Sequence, residues 1–293
     1  MKDKQPALVA DLHLHSTFSD GYVPPAEIAQ IMAAKGYRFG LTDHAFYRPM
    51  DNPAAMRAYL DAVSGLPGPG CARGFEVDFG RPWPWPADVL ERTDYLIGSL
   101  HSLDLDEGFL HFGPFFNYRA GLAAEYRPTL PLGDGRRFLE LCLAAIRHSL
   151  ARQKVQIFGH CTLLPVVADP GHPDEYLPRW WQEEIIGLAI DSGAAIEISG
   201  AWRVPHPEFI QLAVEMGATF SMGSDGHVRR QIGDLEYPLA MVERFGLSPE
   251  RLYLPPALVA SPEKTEAGAE AGAQAKAAAP KESELIWAKP SAS

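Results

Sequence analysis

The sequence has few cysteines and no apolar run long enough to cross a membrane. Its three cysteines, Cys71, Cys142 and Cys161, are widely spaced and include no C-x-x-C pair, which argues against a disulfide framework. A membrane helix needs about 18 consecutive apolar residues, and no stretch approaches that length. The first residues, MKDKQPALVADLH, also lack the apolar region of a signal peptide. We therefore expect a cytoplasmic protein without a membrane partner.

Basic residues are also scarce relative to acidic ones. The chain has 26 lysines and arginines against 37 aspartates and glutamates, so its formal net charge is -11. This balance disfavours broad electrostatic binding to polyanions, and nucleic acid is not the expected partner. A chain of 293 residues with 46% hydrophobic content can nevertheless bury a large core. These quantities favour a single soluble α/β domain.

Large apolar side chains are nearly absent from the C-terminal segment. From Ser261 onward the chain is rich in Ala, Glu, Lys and Gly. Such a composition cannot bury enough apolar surface to offset the entropy lost on ordering. The sequence therefore predicts one domain over residues 1–260 and a disordered tail over residues 261–293.

Within the predicted domain, short apolar runs alternate with amphipathic segments. This alternation indicates a parallel sheet, and seven units favour a closed or nearly closed barrel, with an open doubly wound sheet as the alternative. The predicted strands are 7–12, 37–42, 71–77, 94–99, 155–159, 194–198 and 218–222. The predicted helices are 25–35, 52–64, 136–152, 180–192, 207–216 and 238–245.

The stretch DLHLHSTFSDG places two histidines at the end of the first predicted strand. Alternate side chains of a strand share a face, so His13 and His15 are expected to point the same way. Two protonated imidazoles would repel, and burying both without partners is costly. A shared cation removes both problems. The alternative is a pair of partly exposed histidines that end a strand.

Histidines and acids recur at the ends of the other predicted strands. In a β/α barrel these ends meet at one mouth, where such folds carry their chemistry. A metal site at that mouth is therefore expected. Histidines outside this pattern, His111, His148, His172 and His206, are expected to be surface or capping residues. The strand-end residues are His13, His15, Asp43, His44, Glu76, His101, His160, Glu197, Asp225 and His227.

The ordered motifs HLHSTFSDG, LTDH, FEVDFG, GSLH, GH, EISG and GSDGH closely resemble those of the polymerase and histidinol phosphatase (PHP) superfamily. The resemblance runs over about residues 7–247. It implies a distorted seven-stranded TIM-like β/α barrel whose mouth holds two to three divalent transition-metal ions. Ligands of nitrogen and oxygen without sulfur suit Zn, Mn or Fe.

The resemblance also implies a ligand set for each ion. The first ion would be held by His13, His15, Glu76 and Asp225. Glu76 would bridge to a second ion held by His101 and His160, and the third would be held by Asp20, His44 and His227.

Two further residues are predicted to take part in catalysis. Asp43 is expected to orient a ligand or assist a proton transfer, and its alternative role is that of a hydrogen-bond acceptor at a strand end. Arg203 follows the sixth strand, where the resemblance implies an arginine that grips a phosphate; its alternative is a surface salt bridge. Glu197 is expected to hold a polar group of the substrate.

Clustered divalent ions polarise phosphoryl groups and activate water, so the sequence predicts hydrolysis of a small phosphomonoester. Histidinol phosphate is the leading substrate, because chain length and motif order resemble those of histidinol phosphatases. An amidohydrolase is one alternative, although no predicted strand ends in the bridging lysine typical of that class. A nuclease is another, which the acidic balance does not favour. The aromatic RPWPWP segment and the insertion at residues 102–136 would form substrate walls, a dimer contact or simply packed aromatics.

Overall fold

The fold is a parallel sheet that curves into a barrel surrounded by helices. The computed structural model describes residues 9–66, 70–105, 108–121, 135–165 and 177–259. Seven strands pair in parallel in the order β1-β2-β3-β4-β7-β8-β9. The predicted tail lies outside the described residues, so the division into domain and tail stays a prediction. The barrel strands are β1 (Ala10–Asp11), β2 (Arg38–Leu41), β3 (Cys71–Asp78), β4 (Tyr95–Ser99), β7 (Ile157–Phe158), β8 (Ala195–Ser199) and β9 (Phe220–Gly223).

The two edges of this sheet meet along a seam beside β1 and β9. Leu12 N donates to the carbonyl of Met222 at 2.9 Å, and Asp225 N donates to the carbonyl of His13 at 2.8 Å. A further parallel bridge joins Leu14 to Gly226. The sheet is thus nearly closed, and the predicted seven-stranded TIM-like α/β barrel is confirmed over the open alternative.

Helices connect most of the strands, and their ends follow local signals in the sequence. Asn52 accepts a hydrogen bond from Ala55 N at 3.0 Å, and the ring of His206 accepts one from Phe209 N, so both are N-caps. For His206 this is one of the two roles expected. No described helix combines the length and apolar character that crossing a bilayer requires. The helices are α1 (Pro25–Lys35), α2 (Pro53–Ser64), α3 (Ala87–Glu91), α4 (Gly113–Arg119), α5 (Gly135–Leu150), α6 (Arg179–Ser192), α7 (Pro207–Met216), α8 (Glu236–Phe245) and α9 (Pro256–Val259).

Two elements after β4 were not expected. An antiparallel hairpin pairs β5 (Ser102–Leu105) with β6 (Gly108–His111), and α4 follows it directly. Their sequences, SLDL and GFLH, lack the continuous apolar run that marked the barrel strands. His111, which was expected to be a surface or capping residue in a loop, instead lies half-buried on β6. His172 falls outside the described residues.

The tryptophans of the RPWPWP segment pack against the barrel. Trp85 makes an edge contact with Phe46 at 4.7 Å and lies 5.4 Å from the ring of Phe75. Trp83 donates its Nε1 hydrogen to the carbonyl of Asp78 at 2.8 Å. Three roles were expected for this segment, and Trp85 has that of a packed aromatic. Trp83 borders the mouth of the barrel.

Tyr95 crosses the interior of the barrel below the mouth. Its hydroxyl donates to the carbonyl of Leu12 at 2.8 Å, although β4 and β1 are not neighbours in the sheet. Gly40 and Gly74 leave room for this ring, since a Cβ at either position would collide with it. The buried tyrosine therefore ties together two sides of the barrel.

We predict that Tyr95→Phe lowers the free energy of unfolding by about 1 to 3 kcal/mol, because the buried carbonyl of Leu12 loses its partner. Urea denaturation would measure the change. Tyr37→Phe is the matched control, since Tyr37 is half-buried and its hydroxyl bonds no described residue. Equal losses in the two variants would contradict this account of Tyr95.

Candidate metal centre

The mouth of the barrel gathers all nine predicted ligands. Most follow the carboxyl ends of parallel strands, which explains why residues far apart in the sequence meet here. Eight are buried, and Asp20 is the exception with a side chain that is 19% exposed. The eight buried members are His13, His15, His44, Glu76, His101, His160, Asp225 and His227.

Glu76 lies at the centre of this cluster. It is on β3, the third of the seven barrel strands, and its two carboxylate oxygens face different histidines of the cluster. A carboxylate placed in this way can contribute one oxygen to each of two ions. Oε1 lies 3.4 Å from His13 Nε2, 3.4 Å from His101 Nε2 and 3.2 Å from His160 Nε2, while Oε2 lies 3.4 Å from His15 Nε2 and 3.0 Å from His44 Nδ1.

The predicted second site is compact. His101 Nε2 and His160 Nε2 are 3.4 Å apart, and both lie within 3.4 Å of Glu76 Oε1. Ligand atoms about 2.1 Å from a tetrahedral ion are about 3.4 Å from each other. The three side chains therefore have the spacing of ligands that share one ion.

The predicted third site has the same spacing. Asp20 Oδ2 lies 3.5 Å from His44 Nε2 and 3.4 Å from His227 Nε2. His15 also borders this group, because its Nδ1 is 3.6 Å from Asp20 Oδ1. A ligand group that includes His15 is thus present beside the three predicted members.

The predicted first site uses the other nitrogen of His15. His15 Nε2 lies 3.2 Å from Asp225 Oδ1, and His13 Nε2 lies 3.5 Å from the same oxygen. Glu76 completes this group. His15 therefore stands between the first and third groups, with one ring nitrogen turned towards each.

Several nitrogen and oxygen atoms that could bind a metal are buried in the cluster without a hydrogen-bond partner among the described residues. They include His13 Nε2, both ring nitrogens of His15, Asp20 Oδ2 and Glu76 Oε1. Burying polar atoms in this state costs free energy unless another partner satisfies them. Divalent cations would do so at each of these atoms. The residues present therefore fit bound metal ions, and their nitrogen and oxygen donors suit Zn, Mn or Fe.

The electrostatics of the cluster keep Glu76 and His15 in a metal-binding form. Burial raises the pKa of Glu76, but the charges of His101 and His13 outweigh burial and hold it well below its usual range. Burial and the charge of His227 lower the pKa of His15 to about 3. The carboxylate thus stays ionised, and the imidazole of His15 stays neutral with a free lone pair. In four other histidines of the cluster, burial is outweighed by nearby carboxylates, which raise the pKa, so these rings must lose a proton to bind an ion; they are His13, His44, His160 and His227.

Glu197 supports two of the ligands. Its Oε1 accepts a hydrogen bond from His13 Nδ1 at 2.7 Å, and its Oε2 accepts one from His160 N at 2.6 Å. A proton held on Nδ1 leaves the Nε2 lone pair of His13 turned towards the cluster. Glu197 therefore orients ligands, whereas the sequence led us to expect that it holds a polar group of the substrate.

Asp43 organises the loop that carries Asp20. Its Oδ1 accepts from Ser16 N at 2.9 Å and from Ser19 N and Oγ, and its Oδ2 accepts from Ser16 Oγ at 2.7 Å. Burial raises the pKa of this carboxyl. The geometry is that of the strand-end acceptor, the alternative role considered above.

Two aspartates that the sequence analysis did not single out, the buried Asp11 and the partly buried Asp78, act in the same way. Asp11 accepts from Ser224 N at 2.8 Å and from His13 N at 3.3 Å. Asp78 accepts from His101 N at 3.0 Å. An acidic residue inside an apolar strand, as in VADLH and FEVDFG, is the signal that would have identified them.

The loop after β8 contributes Trp202 to the cluster. Trp202 donates its Nε1 hydrogen to Asp225 Oδ2 and packs 5.9 Å from the ring of Phe116, a residue of α4. Sequence reasoning missed both aromatics. Arg203 is exposed, and its guanidinium lies 5.2 Å from the ring of Tyr237. Its role in binding phosphate stays a prediction.

Comparison with known proteins gives distant relatives. No family model matches the chain. DNA polymerase/3'-5' exonuclease PolX of Bacillus subtilis is 23% identical over 238 residues, which is 77% of this chain and 35% of that protein. The chain thus spans about a third of the relative's length, and the activity of the whole relative does not carry over.

Two solved structures also match, both weakly. An amidohydrolase from Chromobacterium violaceum shares 17% identity with a TM-score of 0.34, over 77% of this chain and 89% of that one. A metal-dependent phosphoesterase candidate from Bifidobacterium adolescentis shares 15% identity with a TM-score of 0.27, over 83% of this chain and 86% of that one. At these scores neither structure bears on the function.

We predict that the purified protein binds two to three transition-metal ions per chain. The donor groups described above offer more ligands than one ion uses. Elemental analysis of protein prepared without chelator would measure the content. His148→Gln is a control, because His148 is exposed on α5 far from the ligand motifs and its loss should leave metal content unchanged. A content of one ion or none would refute the prediction.

A second prediction concerns the support given by Glu197. An amide at this position cannot accept from both His13 Nδ1 and His160 N. Glu197→Gln should therefore weaken metal binding by about ten- to a hundredfold, as measured by competition with a chelating dye. Glu183→Gln, an exposed change on α6, is the matched control. Unaltered affinity in Glu197→Gln would show that the carboxylate does not position the ligands.

Proposed function

We propose that this protein is a metal-dependent phosphoesterase of the PHP type that hydrolyses a small phosphomonoester. One observation carries the proposal. The nine residues matched by the motif resemblance form a single buried cluster around Glu76, with separations suited to ligands of shared ions. A set of imidazoles and carboxylates without thiolates is typical of hydrolytic sites rather than structural zinc sites.

The chain's own residues prepare this site for hydrolysis. Divalent ions bound here would polarise the phosphoryl group of the substrate and activate a water molecule. Glu197 and Asp78 fix His13, His160 and His101 through hydrogen bonds, so the ligands are preorganised. Phe116 packs edge-on against His101 at 5.7 Å and covers one side of the cluster with apolar surface.

Histidinol phosphate is the substrate that we place first, because motif order and chain length resemble those of histidinol phosphatases. In this proposal Arg203 contacts the phosphate of a small phosphorylated substrate, since a planar guanidinium can form paired bonds to phosphate oxygens. Its exposed position beside Tyr237 leaves the guanidinium accessible.

Two other activities remain as alternatives. An amidohydrolase of the usual kind carries a metal-bridging lysine, whereas the lysines of the described residues, Lys35 and Lys154, are both exposed. A phosphodiesterase or nuclease is supported by the similarity to PolX, whose name includes exonuclease activity. The net charge of -11 does not favour a polyanionic substrate.

The decisive experiment is a substrate panel with the metal-loaded protein. We expect hydrolysis of phosphomonoesters, tested with histidinol phosphate, a nucleoside monophosphate and a sugar phosphate, and loss of activity with chelator. Glu76→Gln should abolish most turnover, because a neutral amide has one oxygen and cannot bridge two ions as a carboxylate can. Glu183→Gln should leave turnover unchanged. Preference for another monoester would reject histidinol phosphate alone, preference for a diester would favour the nuclease reading, and cleavage of amides only would reject the phosphoesterase.

A further inference from the structure

A small groove beside the metal-ligand cluster contains an arginine that the proposed function does not use. The groove lies between the segment after β2, the end of β3 and the hairpin β5–β6. Its walls include the ligands His44 and His101 together with Tyr47, Arg81 and His111. A small molecule that reaches the ligand cluster can therefore touch these side chains as well. We call Tyr47, Arg81 and His111 the Arg81 subsite.

The guanidinium of Arg81 is held between aromatic rings with hydrogen-bonding capacity left over. It lies 4.5 Å from the ring centroid of Phe109 and 5.5 Å from that of Tyr47. Its Nε is buried, and no described residue accepts a hydrogen bond from that atom. Stacking fixes the plane of the guanidinium and leaves its edge to bind a ligand.

The carboxylate closest to this arginine is already committed elsewhere. Asp78 Oδ2 lies 3.8 Å from Arg81 Nε, which is an ion-pair distance and too long for a hydrogen bond. Asp78 accepts hydrogen bonds from His101 N, Gly80 N and Ser102 Oγ. The positive charge of Arg81 is therefore only partly balanced within the protein.

His111 orients the hydroxyl of Tyr47. Gly113 N donates to His111 Nδ1 at 3.0 Å, which places the proton of the neutral ring on Nε2. That nitrogen lies 3.3 Å from Tyr47 Oη and donates to it. The hydroxyl hydrogen of Tyr47 is then available to an acceptor in the groove, which Arg81 also lines.

We infer that the Arg81 subsite binds a second oxyanion of the substrate, a carboxylate or a phosphate, beside the phosphoryl group at the ligand cluster. Arg81 supplies the charge and Tyr47 a further donor. Among the described residues, the one acid that lines the groove is Asp78, which accepts hydrogen bonds from other groups. The inference rests on the proposed function for the position of the phosphoryl group. It adds that the preferred substrate carries two anionic groups, so the substrate panel above should favour such a monoester over histidinol phosphate, which carries one.

Non-hydrolysable probes test this inference without relying on turnover. We would measure by calorimetry the binding of phosphonopropionate, ethylene bisphosphonate and propylphosphonate to the full-length, metal-loaded protein. The three share a two-carbon chain and differ in the end group, which is a carboxylate, a phosphonate or a methyl. We expect the two probes that carry two anionic groups to bind about ten- to a hundredfold more tightly than propylphosphonate, which carries one. Whichever of the two binds better identifies the second group.

Variants then assign the preference to the subsite. Arg81→Met should remove it while leaving propylphosphonate binding unchanged, Tyr47→Phe should reduce it, and Arg81→Lys should keep part of it. Arg48→Met is the matched control for charge, because Arg48 has a side chain that is 84% exposed and adjoins Tyr47. If Arg81→Met does not fold, judged by its melting curve, the lysine and phenylalanine variants carry the test.

Two results would overturn the inference. One is a wild-type protein that binds the three probes equally. The other is a preference that survives in Arg81→Met, which would place both anionic groups on the metal ions. The proposed function fails separately, if the wild-type protein cleaves no phosphoester while its probe preference still depends on Arg81.

Discussion

The mouth of the barrel depends on one carboxylate, Glu76, which lies within 3.4 Å of five imidazole rings. Rings packed this closely repel one another when protonated, and they bury lone pairs without partners when neutral. A central negative charge offsets the first cost, and bound cations offset the second. The two oxygens of Glu76 face different histidines, so this one carboxylate reaches both halves of the cluster.

An outer ring of four carboxylates holds this inner cluster in place through the backbone. Asp11, Asp43, Asp78 and Glu197 each accept a hydrogen bond from a main-chain N–H in a segment that carries ligands. Main-chain groups have no rotamers, so these bonds fix where each ligand segment leaves its strand. Part of the formal charge of -11 therefore comes from acids whose carboxylates form hydrogen bonds within the fold.

Much of the barrel, and the gathering of the predicted ligand residues at its mouth, could be predicted from the sequence, because both follow local rules. Apolar runs marked the strands, and polar residues at their ends marked the mouth. The supporting contacts could not be read in this way, since Glu197 and His13 are 184 residues apart and only the closed sheet makes them neighbours. The hairpin and α4 were also missed. Consequently Phe116, Tyr47 and His111 were not seen to border the site.

The seam between β1 and β9 also determines at which stage of folding the ligand cluster is completed. His13 and His15 lie on one side of the seam and Asp225 on the other, joined by backbone bonds between the first and last strands of the barrel. Contacts of such large sequence separation form late in folding, because a long loop must close first. The first and third ligand groups, which include Asp225 and His227, are therefore complete only after the last strand docks. Ions held by these two groups would bind the closed barrel and not a partly folded chain.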